Sequence, residues 1–177
     1  MEREPIKGII AGAIGGLVAS YVMDYTHQAW SKAEELISGD GDGRDRETEN
    51  DTEMEREEEN DPATMKIVKK VSEGIFDHPL SERQKKIAGP AVHYGFGMTM
   101  GALYGGLAEV APITAAGLGI PFGAALWAAA DEVAVPALGL SEKPTATPVQ
   151  QHGEALASHL VYGVTTDLVR RAIRAVI

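Results

Sequence analysis

The sequence predicts an all-α fold, a membrane-embedded four-helix bundle with Gly/Ala-rich packing, and three observations lead to it. Uncharged segments recur along the 177 residues, and they approach the roughly 20 residues that a bilayer span requires. Glycine recurs at every fourth position inside these segments. The acidic charge is instead concentrated between Asp40 and Asp61, which holds twelve Asp and Glu residues against three Arg. A chain of this length makes one domain, so we expect a single membrane domain over 1–177.

The four predicted spans cover about 6–30, 87–109, 112–134 and 150–174. The first begins beside Pro5, a residue that suits a first helical turn. In the second, Ile87 to Ala108 contains His93 as its only readily ionisable side chain, and in the third, Val110 to Ala130 carries no charge. The fourth has the shortest apolar part, so it spans a bilayer only if the helix extends through Glu154 and Asp167.

The segment between the first two spans has two predicted parts. Its acidic stretch, 38–62, cannot bury itself and is expected to be a disordered insert. The following 63–77 is expected to form a short amphipathic helix, with Met65, Val68, Val71 and Ile75 on one face. Lysines beside that face are compatible with a helix that rests on a membrane surface or with one that caps the bundle.

Glycine spacing predicts how the helices pack. Glycine weakens a helix in water by about 1 kcal/mol relative to Ala. Repeated every fourth residue in apolar helices, it forms a flat groove that lets a second helix approach closely. The predicted packing positions are Gly8, Gly12 and Gly16, then Gly97, Gly101 and Gly105, and finally the pair Gly119 and Gly123.

Polar residues inside the spans are the candidates for function, because ionisable groups are costly at membrane depth. Alternating helices bring seven of them to the end that carries the insert: Asp24, His27, His93, Asp131, Glu132, Glu154 and His159. We single out His93, His159, Glu154 and Asp131 as a candidate proton or cation relay, since histidine titrates near neutral pH. His152, His159 and Thr166 repeat every seven residues and therefore share a helix face. The alternative is that the histidines only hydrogen-bond neighbouring helices.

Other chemistries receive less support. The sequence contains no Cys, which excludes thiolate metal sites and Cys nucleophiles. Ligand-type residues have no diagnostic metal spacing, and no nucleophile and base stand at a recognisable separation. We therefore predict that the chain is not an enzyme and that it has neither a metal nor a cofactor.

The chain resembles the YagU-like family of small bacterial inner-membrane proteins over about 89–171. The resemblance rests on the following residues: Gly89 and His93, Ala108-Glu109-Val110 followed by Pro112, Pro136-Ala137-Leu138-Gly139-Leu140, Glu154, Ser158-His159-Leu160-Val161-Tyr162 and Arg170-Arg171. The resemblance implies an inner-membrane helical protein associated with acid resistance, and it transfers no catalytic residues. The acidic insert and the low aromatic content depart from that family.

The expected function is a multi-pass inner-membrane protein that contributes to acid or stress tolerance through a relay. The alternative is a structural or partner-binding membrane protein. Expected partners are the lipid bilayer, further copies of the chain and a basic partner for the acidic insert, with no nucleic acid. Arg3, Lys7 and the arginines near the C-terminus favour cytoplasmic termini. The opposite orientation is favoured by basic residues on the insert side, namely Lys66, Lys69, Lys70, Arg83, Lys85 and Lys86. Of the two orientations, we expect the one with cytoplasmic termini.

Overall fold

A computed structural model of the protein describes residues 4–38, 63–77, 80–141 and 143–177. These residues form five long helices: α1 (Pro5–Ser38), α2 (Ala63–Phe76), α3 (Glu82–Val110), α4 (Ile120–Ala129) and α5 (Val149–Arg174). No strand occurs within the described ranges, and the all-α prediction is confirmed. The predicted acidic insert, 38–62, lies outside the described residues apart from Ser38, which ends α1.

Helix α1 is the centre of the bundle, because it packs against α3 along one side and against α5 along another. Its contact with α3 brings backbone against backbone. A Cβ at Gly12 would overlap the carbonyl oxygen of Gly101, and a Cβ at Gly101 would lie 2.7 Å from the Cα of Gly16. Gly8 and Gly105 meet in the same way one turn further along. We call this contact the glycine seam; its members are Gly8, Gly12, Gly16, Gly97, Gly101 and Gly105.

Helix α2 lies against the first turns of α3. The Met65 side chain packs beside Gly89, and the Lys70 ammonium donates a hydrogen bond of 2.8 Å to the carbonyl oxygen of Leu138. Ser81 caps α3 through a capping box with Gln84. Helix α2 therefore contacts both the start of α3 and the loop after α4.

The third predicted span, 112–134, differs from the structure because it is not one continuous helix. Pro112–Ala115 forms a single 3₁₀ turn, and three consecutive residues with positive φ follow it, Gly117, Leu118 and Gly119. This turn brings Gly119 against the backbone of Gly163 in α5. Helix α4 starts only at Ile120, and the π-helical turn Ala130–Ala134 and the short turn Val135–Ala137 continue it.

The interior of the bundle contains both polar and apolar side chains, and many large apolar side chains are exposed. Among the buried side chains are Ser20, Ser158, His159, Thr166, Asp167 and Arg170. Large apolar side chains form an exposed stripe along one face of α1, at Ile10, Ile14, Leu17, Tyr21 and Tyr25. A second stripe runs along α3, at Phe96, Leu103, Leu107 and Val110. Contiguous apolar surface of this kind indicates a face that meets lipid or another protein.

One helical segment among the described residues, Pro5–Ala33, is long and apolar enough to cross a membrane by length and composition. It lies near the N-terminus, and a little under half of its apolar window is buried inside the bundle. The coarse prediction of membrane association is supported to this extent.

Candidate functional site

The candidate site lies at one end of the bundle, where histidines meet carboxylates from several helices. The contributing parts are the C-terminal half of α1, the N-terminal halves of α3 and α5, and the π-helical turn after α4. All four histidines in the described part of the chain stand within 4 Å of a carboxylate. We call this region the histidine end.

His159 is the most deeply buried of these histidines. Its Nδ1 lies 2.9 Å from the carbonyl oxygen of Ala155 and 3.5 Å from Oδ2 of Asp131. Both neighbours are hydrogen-bond acceptors, so Nδ1 carries the hydrogen. In the neutral ring, Nε2 is then the basic nitrogen and the atom that accepts a further proton.

The π-helical turn presents two adjacent carboxylates to α5. Asp131 faces His159, and it also interacts electrostatically with His27 and Glu132. Glu132 Oε1 lies 2.6 Å from Nδ1 of His152, whose Nε2 is 2.9 Å from the carbonyl oxygen of Pro144. Both ring nitrogens of His152 therefore face acceptors, an arrangement that the protonated imidazolium satisfies completely. Single π turns occur frequently at functional sites.

Two further pairs join α1 to its neighbours. Nδ1 of His27 lies 3.7 Å from Oε1 of Glu154 in α5. Nε2 of His93 lies 3.2 Å from Oδ1 of Asp24, in a geometry that leaves this buried nitrogen without a hydrogen bond. The Tyr94 hydroxyl donates to the other oxygen of Asp24 over 2.7 Å. Asp24 is thus held by two neighbouring residues of α3.

Two clefts reach the histidine end from outside. The first, of about 590 Å³, is lined by His27 and Glu154. The second, of about 600 Å³, is lined by Asp131, Glu132 and His152, and Lys66 of α2 stands at its edge. Both clefts border Pro148, Gln151 and Ala155. His159 lines neither cleft, and Asp131 is the residue that joins it to the second one.

The histidines and carboxylates of the histidine end meet in pairs. Within 4–38, 63–77, 80–141 and 143–177, no three His, Asp or Glu side chains converge on a point that could hold a metal ion. The donors instead form separate pairs, in which each imidazole has its own carboxylate. A paired imidazole and carboxylate can pass a proton between solvent and the protein interior.

The opposite end of the bundle carries a network of arginines and carboxylates, which we call the arginine end. It consists of Glu4, Glu109, Asp167, Arg170, Arg171 and Arg174. Asp167 accepts hydrogen bonds from Arg170 at 3.0 Å and from Arg171 at 2.7 Å. Glu109 accepts one from Arg174 at 2.8 Å, and Arg170 lies 3.7 Å from the same carboxylate. Asp167 is completely buried, so its charge depends on these partners.

The sequence-predicted relay residues do not form one contiguous group. The structure brings His159 and Asp131 together, places Glu154 beside His27, and puts His93 on Asp24 at a separate contact. The sequence interpretation placed Asp24, His27 and Glu132 at this end without naming them as relay residues, and it missed the pairing of His152. It also missed the arginine end, which Arg170 and Arg171 signal by following Asp167 at the spacing of a helical turn.

A family model described as a protein of unknown function (DUF1440) matches residues 61–168. This range contains α2, α3, α4 and most of α5, and therefore His93, Asp131, Glu132, His152, Glu154 and His159. No curated protein and no solved structure matches the chain. The YagU-like resemblance is thus supported only at the level of an uncharacterised family.

Proposed function

Because the chain belongs to the DUF1440 family of proteins of unknown function, we propose its function from its own geometry, as a multi-pass membrane protein that relays protons. In this proposal α1, α3, α5 and the broken third segment around α4 cross an inner membrane. The histidine end is the entrance of the relay. No enzymatic reaction and no cofactor are part of the proposal.

Exposed apolar stripes beside a buried ion pair are the observation that supports the membrane part. Ile6, Tyr21 and Leu103 are 73%, 68% and 54% exposed, whereas a charged pair such as Asp167 and Arg170 is buried. Water would penalise these apolar stripes, whereas lipid accepts them. In the irregular backbone at 112–119, Gly119 packs against the backbone of Gly163 in α5, whereas Ile113 and Leu118 are exposed. In this proposal the stretch therefore lies at the membrane boundary, where water can satisfy irregular backbone.

The paired histidines support the relay part. An imidazole gains and loses a proton between pH 5 and 8, and each one here has a carboxylate within reach. His159 and Asp131 form the innermost pair, and His27 with Glu154 forms an outer pair beside a cleft. A contribution to acid tolerance, which the YagU-like resemblance implies, would follow from controlled proton movement at this end.

The test is a proton flux assay on protein extracted from membranes with detergent and reconstituted into liposomes that contain a pH-sensitive dye. After a pH jump, we expect native protein to carry protons, and we expect His159→Ala and His93→Ala to abolish the flux. Leu103→Ala, which changes an exposed apolar residue, is the matched control and should conduct normally.

The competing function is a structural or partner-binding membrane protein whose histidines only join helices. Direct contacts of the imidazoles between helices, such as that of His93 in α3 with Asp24 in α1, are the observation that supports this alternative. In that case both histidine variants would lower thermal stability, and native protein would carry no flux. Recovery of monodisperse protein from a detergent-free soluble extract would overturn the membrane proposal itself.

A further inference from the structure

His152 joins three parts of the histidine end through one imidazole ring. Its Nδ1 lies 2.6 Å from Oε1 of Glu132 in the π-helical turn, and its Nε2 lies 2.9 Å from the carbonyl oxygen of Pro144. His152 itself stands in the first turn of α5. The ring thus connects α5 to the π-helical turn and to the segment 143–148, which leads into α5.

Only the charged ring can hold both contacts of His152 as hydrogen bonds. Both neighbours are acceptors, and a neutral imidazole has a single N–H. When the ring loses a proton, the remaining hydrogen stays on Nδ1, because a hydrogen bond to a carboxylate is roughly twice as strong as one to a neutral acceptor. Nε2 then turns a lone pair toward the carbonyl oxygen of Pro144, and that contact becomes repulsive.

The contact that is lost borders the second cleft. Glu132, Pro144 and His152 all line this cleft, and so does Asp131, which joins it to the buried His159. The side chains of His152 and Glu132 are 24% and 21% exposed, so protons from solvent reach the pair. The charge of one ring therefore acts on a wall of the cleft that leads to Asp131.

The segment 143–148 has hydrogen bonds of its own. The carbonyl oxygen of Lys143 accepts from the amide of Ala146 and from the hydroxyl of Thr147. Because these bonds lie within the segment, they persist when Nε2 releases Pro144. We therefore expect the segment to move away from α5 as a unit.

We propose that His152 is a proton-operated latch on the second cleft. The protonated ring holds the segment 143–148 against α5 and keeps the cleft narrow, whereas the neutral ring releases the segment and opens the way to Asp131. This inference rests on the relay proposed above and adds its regulation. Acidification on the side of the histidine end would thus narrow the path to Asp131.

Titratable groups border the latch on several elements. They are Asp131 and Glu132 of the π-helical turn, Lys66 of α2, Lys143 of the segment and Glu154 of α5. Glu132 makes the direct contact with the ring, whereas Asp131 faces His159 and Glu154 faces His27. Glu132 is therefore the partner whose replacement tests the latch.

The test measures the position of the segment with two spin labels. The sequence contains no Cys, so labels can be attached through Thr145→Cys in the segment and Leu168→Cys on α5, both at exposed positions. Double electron–electron resonance on the full chain in proteoliposomes gives the distance distribution between them. We expect a narrow distribution at about pH 5 and a broader one, shifted to other distances, at about pH 8.

Replacing the two partners should have opposite effects on the labels. His152→Ala removes the ring, so the distribution should be broad at both pH values. In Glu132→Gln, the amide can donate to Nδ1 and leave the hydrogen of the ring on Nε2, so the distribution should be narrow at both. His27→Ala is the matched control, because His27 pairs with Glu154 at the first cleft, and it should keep the native response.

Two results with the labels would overturn the latch. One is a native distribution that does not change with pH. The other is a His152→Ala or Glu132→Gln variant that changes with pH as native protein does.

The flux assay separates the latch from the relay. With the same pH gradient imposed at about pH 5 and at about pH 8, native proton flux should be several-fold lower at the acidic value, and His152→Ala should lose this difference. If the labels respond but native protein carries no flux, the relay is wrong and the latch on the cleft stands. If protons flow while the labels do not respond, the latch is wrong and the relay stands.

Discussion

The histidine end and the arginine end both join basic side chains to carboxylates, but they differ in burial and in the base that they use. At the histidine end, the side chains of Asp131 and His27 are 36% and 43% exposed. At the arginine end, Asp167 is completely buried and Arg170 nearly so. Clefts border the first region, whereas Tyr104 and Gly119 pack against Arg170 and Asp167 in the second.

In the proposed relay, this difference separates the region that exchanges protons from the region that keeps its charge. Imidazole changes its charge between pH 5 and 8, and guanidinium stays charged throughout. The pairs of the arginine end persist, and they join the beginning of α1, the end of α3 and the end of α5 into one rigid cap.

The largest expected effect comes from removal of Asp167 at the arginine end, and removal of Glu132 at the histidine end is its comparison. Asp167→Ala leaves the buried Arg170 without one of the carboxylates that balance its charge. Such a change typically lowers the free energy of unfolding by about 3–5 kcal/mol. Glu132→Ala should cost only about 1 kcal/mol, because its partner His152 is able to give up its charge. Equilibrium unfolding in mixed detergent micelles measures both values. Equal losses would show that the two ends do not differ in the way described.

A second comparison tests the glycine seam that lies between the two ends. Gly101→Ala places a methyl group against the backbone of Gly16 and should cost about 1–3 kcal/mol through overpacking. Gly95→Ala is the matched control, because Gly95 lies in the same helix and nothing approaches its Cβ position within 4 Å. It should stabilise the protein by up to about 1 kcal/mol through helix propensity.

The same unfolding assay measures the Gly101 and Gly95 variants. If Gly101→Ala is as stable as Gly95→Ala, α1 and α3 have room to separate, and the seam does not fix the distance between their charged groups.

The sequence was sufficient for the helical class and for the end at which histidines and acids gather. Both follow from local patterns, namely uncharged segments of near-spanning length and the alternation of helix direction. Glycine spacing along α1 and α3 also pointed to the surfaces that the structure places in contact.

The sequence could not predict which histidine pairs with which carboxylate, because the pairs depend on local irregularities of the backbone. The break at Gly117, Leu118 and Gly119 shortens the third helix, and the π turn then sets the direction of Asp131 and Glu132. Neither has a periodic signal. The contact between Glu109 and Arg174 joins residues 65 positions apart, and it depends on α1 lying between α3 and α5.

The smallest expected effect lies within the arginine end, where one ion pair is exposed. The Lys7 ammonium lies 2.8 Å from a carboxylate oxygen of Glu4, as short as the contact between Arg174 and Glu109. Both side chains of the first pair are about 40% exposed, so water and salt screen their attraction. Lys7→Ala should therefore change the free energy of unfolding by only about 0–1 kcal/mol. Arg174→Ala, which removes a side chain that is 7% exposed, should destabilise the protein clearly more in the same assay. A Lys7 variant as unstable as the Arg174 variant would mean that charge pairing alone, and not burial, distinguishes this end from the histidine end.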